Sequence, residues 1–327
     1  MKKKIILVVA VLVCGVAGVI IPRILHRYKK TVTEKTTVYI PLKATYSQML
    51  DSVATAVGDM ESFKYVAEKA SLETKFKPGR YVFLPDKSNK DLVRMLQMGW
   101  ETPMMLTLSG NIRGLEKLSG ILGKKLAADS AAFMDCFLAD SLWMGKILPN
   151  TYEVYWTITP QKFIERMEKE YEKFWNEERT AKAGKIGLTR EEVSILASIV
   201  CEETNYGPEM PKVAGVYMNR LNRGMKLDAD PTVKFALGDP TIKRILYRHL
   251  EVDSPYNTYK NLGLPPGPIT IPSIKGIDAV LNYEEHNYLY FCANSNMDGT
   301  HKFARTLTEH TRNAREYQAA LNRLKIK

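Results

Sequence analysis

Cysteine and histidine are scarce in this chain: four cysteines and five histidines in 327 residues. Cys14 sits in an apolar N-terminal run, leaving Cys136, Cys201 and Cys292 at unrelated spacings. With no Cys-x-x-Cys pair and no Cys/His ligand cluster, neither a zinc centre nor a disulfide framework is expected. Cys201 lies in no signature of a thiol nucleophile and reads as a small buried residue. Low-complexity tracts and clear repeats are also missing, and no motif calls for a metal or an organic cofactor. Acidic residues are absent from residues 1–30, which carry Lys2, Lys3, Lys4, Arg23, Arg27, Lys29 and Lys30. Outside that stretch 40 basic residues face 36 acidic ones, so only +4 of the formal charge of +11 belongs to the rest of the chain. A nucleic-acid protein usually carries a denser basic stripe, so no nucleic-acid partner is expected. Mild positive charge suits an anionic polymer or lipid headgroups equally well.

What is present begins with an apolar run from Ile5 to Ile21, flanked by lysines and by Pro22-Arg23. Seventeen residues at about 1.5 Å rise can just cross the hydrocarbon layer. No small-x-small cleavage site follows it, which favours a retained single-pass anchor over a cleaved signal peptide. The expected topology is N-in and C-out, placing the bulk of the chain outside the bacterial cytoplasmic (inner) membrane. The remainder is long enough for two domains with their own cores. The reading is an α+β protein in three parts: a basic tail and transmembrane anchor over 1–30, a small membrane-proximal module over 31–100, and a mixed catalytic domain over 101–327.

In the module, a strand at Thr37–Ile40, a helix capped by Ser47 and a helix near Glu61–Ala70 precede the turn Lys77-Pro78-Gly79-Arg80. The alternating Tyr81-Val82-Phe83-Leu84 then reads as a strand, and Ser88 as the cap of a third helix. Beyond it, Met104–Leu108 is a strand, Pro149–Trp156 an aromatic-rich loop, and Thr159-Pro160 the start of a long helix to about Lys182. Asp228–Thr232 and Ser254–Tyr259 are polar turns that present side chains, Gly263–Pro268 is a stiff wall, and Tyr288–Phe291 is a buried strand. His301–Phe303 is its hairpin partner, and a final helix closes the chain.

One acid stands out between these elements. Thr189-Arg190-Glu191-Glu192 is a capping box that opens a helix. Leu196, Ala197, Ile199 and Val200 form its apolar stripe, and Glu203 projects from that stripe, three residues after Val200. Glu202 follows Ser194 and Ser198 on a more polar flank. A carboxyl on an apolar face is poorly solvated, so its pKa should rise, which keeps a glutamic acid ready to donate a proton near neutral pH. A helix-terminal Glu paired with Lys or Arg is the plainer alternative, and pattern alone leaves both open. A second helix follows with Val213, Val216, Tyr217 and Met218 beside Lys212, Asn219 and Arg220.

Ala197-Ser198-Ile199-Val200-Cys201-Glu202-Glu203-Thr204 resembles the A-S-I-[IV]-E-K-E-T signature of the YceG-like (MltG-type) endolytic murein transglycosylases. Lys212–Leu221, Gly224–Val233, Tyr256-Asn257-Thr258-Tyr259 with Gly263–Gly267, and Tyr288–Phe291 before His301 continue the likeness in order. Lys77–Tyr81 is similar to the family's LysM-like module. The resemblance implies non-hydrolytic cleavage of the β-1,4 bond between N-acetylmuramic acid and N-acetylglucosamine, leaving 1,6-anhydro-muramic ends. It implies peptidoglycan strands as substrate, the peptidoglycan synthesis machinery as partner, and termination of growing strands as the role. The family's catalytic glutamate maps to Glu203. Asn219, Arg220, Asp230, Thr232, Asn257, Thr258 and Tyr259 are the candidates for lining the groove. Bracing loops is their plainer role, and for Asp230 the favoured use is capping a helix that starts at Pro231. Two departures stand beside the acid: Cys201 where the signature has Glu, and Glu202 where it has Lys. A non-catalytic anchored wall-binding protein and a hydrolytic muramidase remain the competing readings.

Overall fold

Alternation of buried and exposed side chains builds the first strand pair. In a computed structural model, which describes residue 18 and residues 20–138, 142–239, 241–242 and 244–323, β1 (Thr36–Ile40) turns Val38 and Ile40 inward and Tyr39 outward. It runs antiparallel to β2 (Gly79–Phe83), with Val38 opposite Tyr81. Three helices close over this ribbon: α1 (Tyr46–Ala54), α2 (Met60–Lys69) and α3 (Asn89–Met98). Met49, Val53, Phe63, Leu92 and Leu96 complete one buried core with both strands. The order strand–helix–helix–strand–helix is the one expected from sequence.

Local chemistry sets the helix ends. Thr45, not Ser47, caps α1, in a reciprocal box with Gln48. Thr45 stands in extended backbone where its hydroxyl reaches the third amide, whereas Ser47 is already one turn-forming residue inside. Ser88 and Asp91 make the same box at α3, which ends on Gly99 in the left-handed region (φ 66°). The apolar run at 5–21, the expected anchor, lies almost wholly outside the described residues. Among the described residues no helix is long and apolar enough to cross a membrane.

The chain divides into two compact units: Met1–Leu106 with Lys125–Ala128 and Glu153–Thr159, and the remainder. In the second unit the helices are α4 (Leu115–Lys125), α5 (Ser130–Phe137), α6 (Trp143–Lys146), α7 (Pro160–Phe174), α8 (Glu177–Lys185), α9 (Arg190–Glu203), α10 (Met210–Asn222), α11 (Asp230–Leu237), α12 (Ile274–Leu281) and α13 (Leu307–Arg323). Strands β3 (Met104–Leu108) and β4 (Asn150–Val154) pair, as do β5 (Tyr290–Ala293) and β6 (His301–Ala304). The protein is thus a mixed α+β structure with small two-stranded sheets.

α9 is the hub. Every residue from Val193 to Cys201 is buried, and α10 and α12 pack against it. The flank expected to be polar is therefore interior. Its serines are tolerated because Ser194 donates to the Arg190 carbonyl, and Ser198 donates to Ile195 while accepting from the Ile269 amide. α12 approaches α9 at Gly276, where an added Cβ would stand 2.3 Å from the Cys201 sulfur.

Other expectations are corrected. The aromatic-rich loop is strand β4, with Tyr152 in the core and only Tyr155 widely exposed. The long helix breaks after Phe174 because Asn176 accepts from the Arg179 amide and starts α8 afresh. The strand placed at Tyr288–Phe291 begins at Tyr290 and is half-buried, since one face opens on a cleft. His301–Ala304 is its antiparallel partner, with Ala293 opposite His301.

Candidate active site

α9 ends where Thr204 leaves helical backbone, and the Thr204 hydroxyl accepts the Tyr206 amide. A single turn at Gly207–Glu209 then reverses the chain into α10. That reversal lays α10 beside α9 and sets the Tyr217 hydroxyl against Glu203, donating to Oε1 at 2.6 Å. Glu203 as a residue is only half-buried, because its carboxyl faces a cleft, yet protein atoms crowd the carboxyl itself. That crowding pushes its pKa up to about 7; the Tyr217 hydrogen bond works against the rise, and the charges of Asp230 and Glu202 add to it. Tyr217 is held well above its usual range, first by burial and then by Glu203, so it remains the donor.

The cleft has a volume of about 430 Å³ and lies within the second unit. Glu203, Tyr217 and Arg220 come from the two helices, Asp228, Asp230 and Tyr259 from the polar turns, and Tyr290, Phe291 and His301 from the hairpin. A larger depression of about 660 Å³ runs along α13, is lined by that helix alone and does not include Glu203.

Arg220 is the frame of the cleft. Its Nε donates to the Leu289 carbonyl at 2.7 Å, and Nη1 reaches the carbonyls of Lys226 and Leu227 and Asp228 Oδ2 at 2.8 Å. The guanidinium also lies over the Tyr290 ring, 5.0 Å from its centroid. Asp228 itself sits in the left-handed region (φ 49°), a conformation Asp adopts more readily than most residues. Across from it, the Tyr259 hydroxyl donates to Asp230 Oδ1 at 2.7 Å. Burial first, and Asp230 second, push the Tyr259 pKa up.

Of the sequence candidates, Glu203, Arg220, Asp230 and Tyr259 line the cleft, whereas Asn219, Thr232, Asn257 and Thr258 lie behind it. Asn219 donates to the carbonyls of His286 and Tyr288, and Asn257 to those of Leu250 and Val252. The hydroxyls of Thr232 and Thr258 meet at 2.9 Å, and Thr258 accepts the Ala229 amide. Thr232, Asn257 and Thr258 hold the loops that carry Asp230 and Tyr259, and Asn219 holds the segment that leads into β5. Asp230 does not cap its helix: Ala229 occupies the cap position without a side-chain bond, and Asp230 is spent on Tyr259.

Sequence reasoning missed Tyr217, Asp228, Tyr290, Phe291, His301 and His310 as cleft residues. Tyr217 was visible within a matched stretch but looked like core, because fourteen residues and a turn separate it from Glu203. Glu202, expected on a polar flank, is 5% exposed and forms an ion pair with Arg113. Among the described residues no group of three His, Cys, Asp or Glu is placed to hold a metal ion.

Residues 38–316 match the profile of the YceG-like family. An endolytic murein transglycosylase of Bacillus subtilis (strain 168) is 43% identical over 127 residues, 39% of this chain and 34% of that protein. One from Streptococcus pneumoniae serotype 2 (strain D39) is 31% identical over 177 residues, 53% of this chain and 32% of that protein. The match thus spans about a third of the length of these curated relatives. The crystal structure of a YceG-like protein from Listeria monocytogenes aligns with a TM-score of 0.52 at 27% identity, over 85% of this chain and 98% of that one.

Proposed function

Because the chain belongs to the YceG-like family, we propose that it is an endolytic lytic transglycosylase of peptidoglycan, with Glu203 as its acid and base. The observation that carries this reading is one carboxyl, facing a cleft and crowded by protein, with its pKa near 7 and a phenol as its hydrogen-bond partner. The names of the curated relatives support the same substrate.

The chemistry follows from the partners. With Tyr217 donating to Oε1, the proton of neutral Glu203 sits on Oε2, the oxygen left to meet a ligand. Glu203 gives that proton to the oxygen bridging muramic C1 and the next sugar, and the C1–O bond breaks. The 2-acetamido group supports the cationic centre, as in substrate-assisted glycosidases. The muramic C6 hydroxyl then attacks C1, and the Glu203 carboxylate takes its proton. One bond breaks, one forms within the same ring, and no water is consumed.

A hydrolytic muramidase is the second reading, because Asp228 and Asp230 also line the cleft. Both are engaged, however: Asp228 with Arg220 and Asp230 with Tyr259. Each is tied to the protein through one oxygen, which favours the single-carboxyl route. In the cell this activity would end growing glycan strands on the outer side of the cytoplasmic membrane, with the 5–21 run as anchor, beside the synthesis machinery.

The test is incubation of the purified protein with sacculi and mass spectrometry of the products. Anhydro-muramic ends are expected from the native chain and none from Glu203→Gln. Products heavier by one water would establish hydrolysis instead, and full activity in Glu203→Gln would remove Glu203 from the reaction.

A further inference from the structure

His301 stands on the hairpin side of the cleft and has no part in the steps above. It opens β6, and one carboxylate grips it twice. Glu209 Oε1 accepts the His301 backbone amide at 3.0 Å, and Oε2 meets Nδ1 at 2.7 Å. Both side chains are nearly covered, at 13% and 10% exposure. The ring is also held edge-to-face against Phe291, with centroids 5.3 Å apart. Two bonds and a ring contact fix the imidazole in position and orientation.

They also fix its tautomer. A carboxylate has no hydrogen to give, so Nδ1 must be the N–H that donates to Glu209. The neutral ring then carries a bare lone pair on Nε2. Among the described residues nothing hydrogen-bonds Nε2. A group held so firmly, with its one acceptor left over at a cleft wall, is set up to receive a donor from outside the protein.

We propose that His301 contacts substrate, its Nε2 accepting a hydrogen bond from a hydroxyl or acetamido N–H of the saccharide bound in the cleft, with Glu209 as the positioning residue that sets the Nδ1–H tautomer of the neutral ring. The proposal rests on the reading of the cleft as a glycan site. It assigns His301 to binding and leaves the proton transfers to Glu203. Sugar rings offer several donors and few apolar handles beyond their faces, so a fixed acceptor beside Phe291 and Tyr290 matches both aspects.

Two variants separate this role from simple bracing of the hairpin. His301→Asn keeps an amide N–H near the Nδ1 position, able to reach Glu209, but deletes the acceptor at Nε2. Glu209→Gln keeps the shape, yet its NH2 group donates to Nδ1 and so drives the ring hydrogen onto Nε2. The full chain carrying Glu203→Gln is titrated calorimetrically with oligosaccharides of alternating N-acetylglucosamine and N-acetylmuramic acid. Adding either change should weaken binding about tenfold, the worth of one well-placed hydrogen bond. Ring nitrogen NMR of Glu209→Gln should show the hydrogen moved to Nε2. Binding within about twofold of the parent in both variants, with only the melting temperature lowered, would overturn the proposal. So would a Glu203→Gln chain that binds no oligosaccharide. Failure of the native chain to release anhydro ends would sink the lyase reading alone, since a tenfold binding loss in His301→Asn does not depend on turnover.

Discussion

Removing the Tyr217 hydroxyl should move the alkaline limb of the pH–rate profile upward. Tyr217→Phe deletes the only hydrogen bond that Glu203 receives from a side chain among the described residues and leaves the ring packed edge-to-face on Phe291, 5.8 Å away. That bond favours the ionised carboxylate and so restrains a pKa already raised to about 7. A hydrogen bond to a charged group is worth about 1.5–3 kcal/mol and one to the neutral acid about 1 kcal/mol, and their difference of about 0.5–2 kcal/mol corresponds to roughly half to one and a half pH units. The proposed reaction starts from the neutral acid, so kcat/KM should fall as pH rises through the Glu203 pKa. In Tyr217→Phe that fall should centre at about pH 7.5 to 8.5. Below the limb the variant should lose only about fivefold, the worth of a neutral hydrogen bond near 1 kcal/mol. The assay is the initial rate of anhydro-end release from sacculi across pH, with denaturant unfolding to check that the fold persists. A limb that stays where it was, or moves to lower pH, would refute the assignment of Tyr217 as the group that tempers Glu203.

Three further outcomes follow from the same contacts. Glu203 binds its proton more tightly folded (about 7) than at its ordinary value of 4.5, so the stability from the neutral acid is complete below 4.5 and is lost as pH rises to 7. Native protein should therefore weaken against Glu203→Gln across that window in urea unfolding, and a native protein that gains ground instead would contradict the raised pKa. Arg220→Met leaves Asp228 and three carbonyls without their buried cation and should cost about 3–5 kcal/mol; a loss under about 1 kcal/mol in denaturant midpoints would mean the network is not the frame described. Gly276→Ala forces a methyl to within 2.3 Å of Cys201 Sγ and should cost about 1–3 kcal/mol. Cys201→Ala in the same chain should recover most of that, and strictly additive costs would show that the two residues do not touch.

How much of this was legible in the sequence varies with the range of the interaction. Two caps were readable, Thr189 with Glu192 in a box and Ser88 at its helix start, whereas Ser47 and Asp230 were not the caps their positions suggested. The hairpin of β5 and β6 was also readable, although its first strand starts two residues later than its aromatic run suggested. Failures came where tertiary context overrode local pattern. Ser194 and Ser198 looked like a solvated flank but are interior, because a hydroxyl can satisfy itself on its own helix. At the site, Glu203 could be singled out because one carboxyl on an apolar stripe is a local anomaly. Tyr217, Glu209 and His301 could not, since each matters through a partner brought close by a chain reversal or by a strand 92 residues away. Asn219 and Asn257 share their polarity with the cleft residues, and only the fold shows that their amides point at backbone carbonyls.

The two acids at the end of α9 show how the departures from the resembled signature are accommodated. Neighbouring residues on a helix point about 100° apart, so Glu202 and Glu203 face different surroundings despite adjacency. Glu202 meets the Arg113 guanidinium, 89 residues earlier in the chain, while its other oxygen has no hydrogen-bond partner among the described residues. Glu203 meets a phenol, and no cation among the described residues hydrogen-bonds it. The signature places a lysine where Glu202 stands; here the cation comes from Arg113 instead, supplied across space to an acid rather than along the helix. Cys201, where the signature has a glutamate, fits because Gly276 leaves only enough room for a compact sulfur, 3.3 Å from the Ser273 hydroxyl. A longer acid at 201 would have to displace α12 or find another exit. The net result adds one buried negative charge beside Glu203, and that charge raises the Glu203 pKa in the same direction as its burial. Glu202 in place of lysine therefore favours a neutral, proton-bearing Glu203, the form from which the proposed reaction starts, and outweighs the loss of a negative charge at 201.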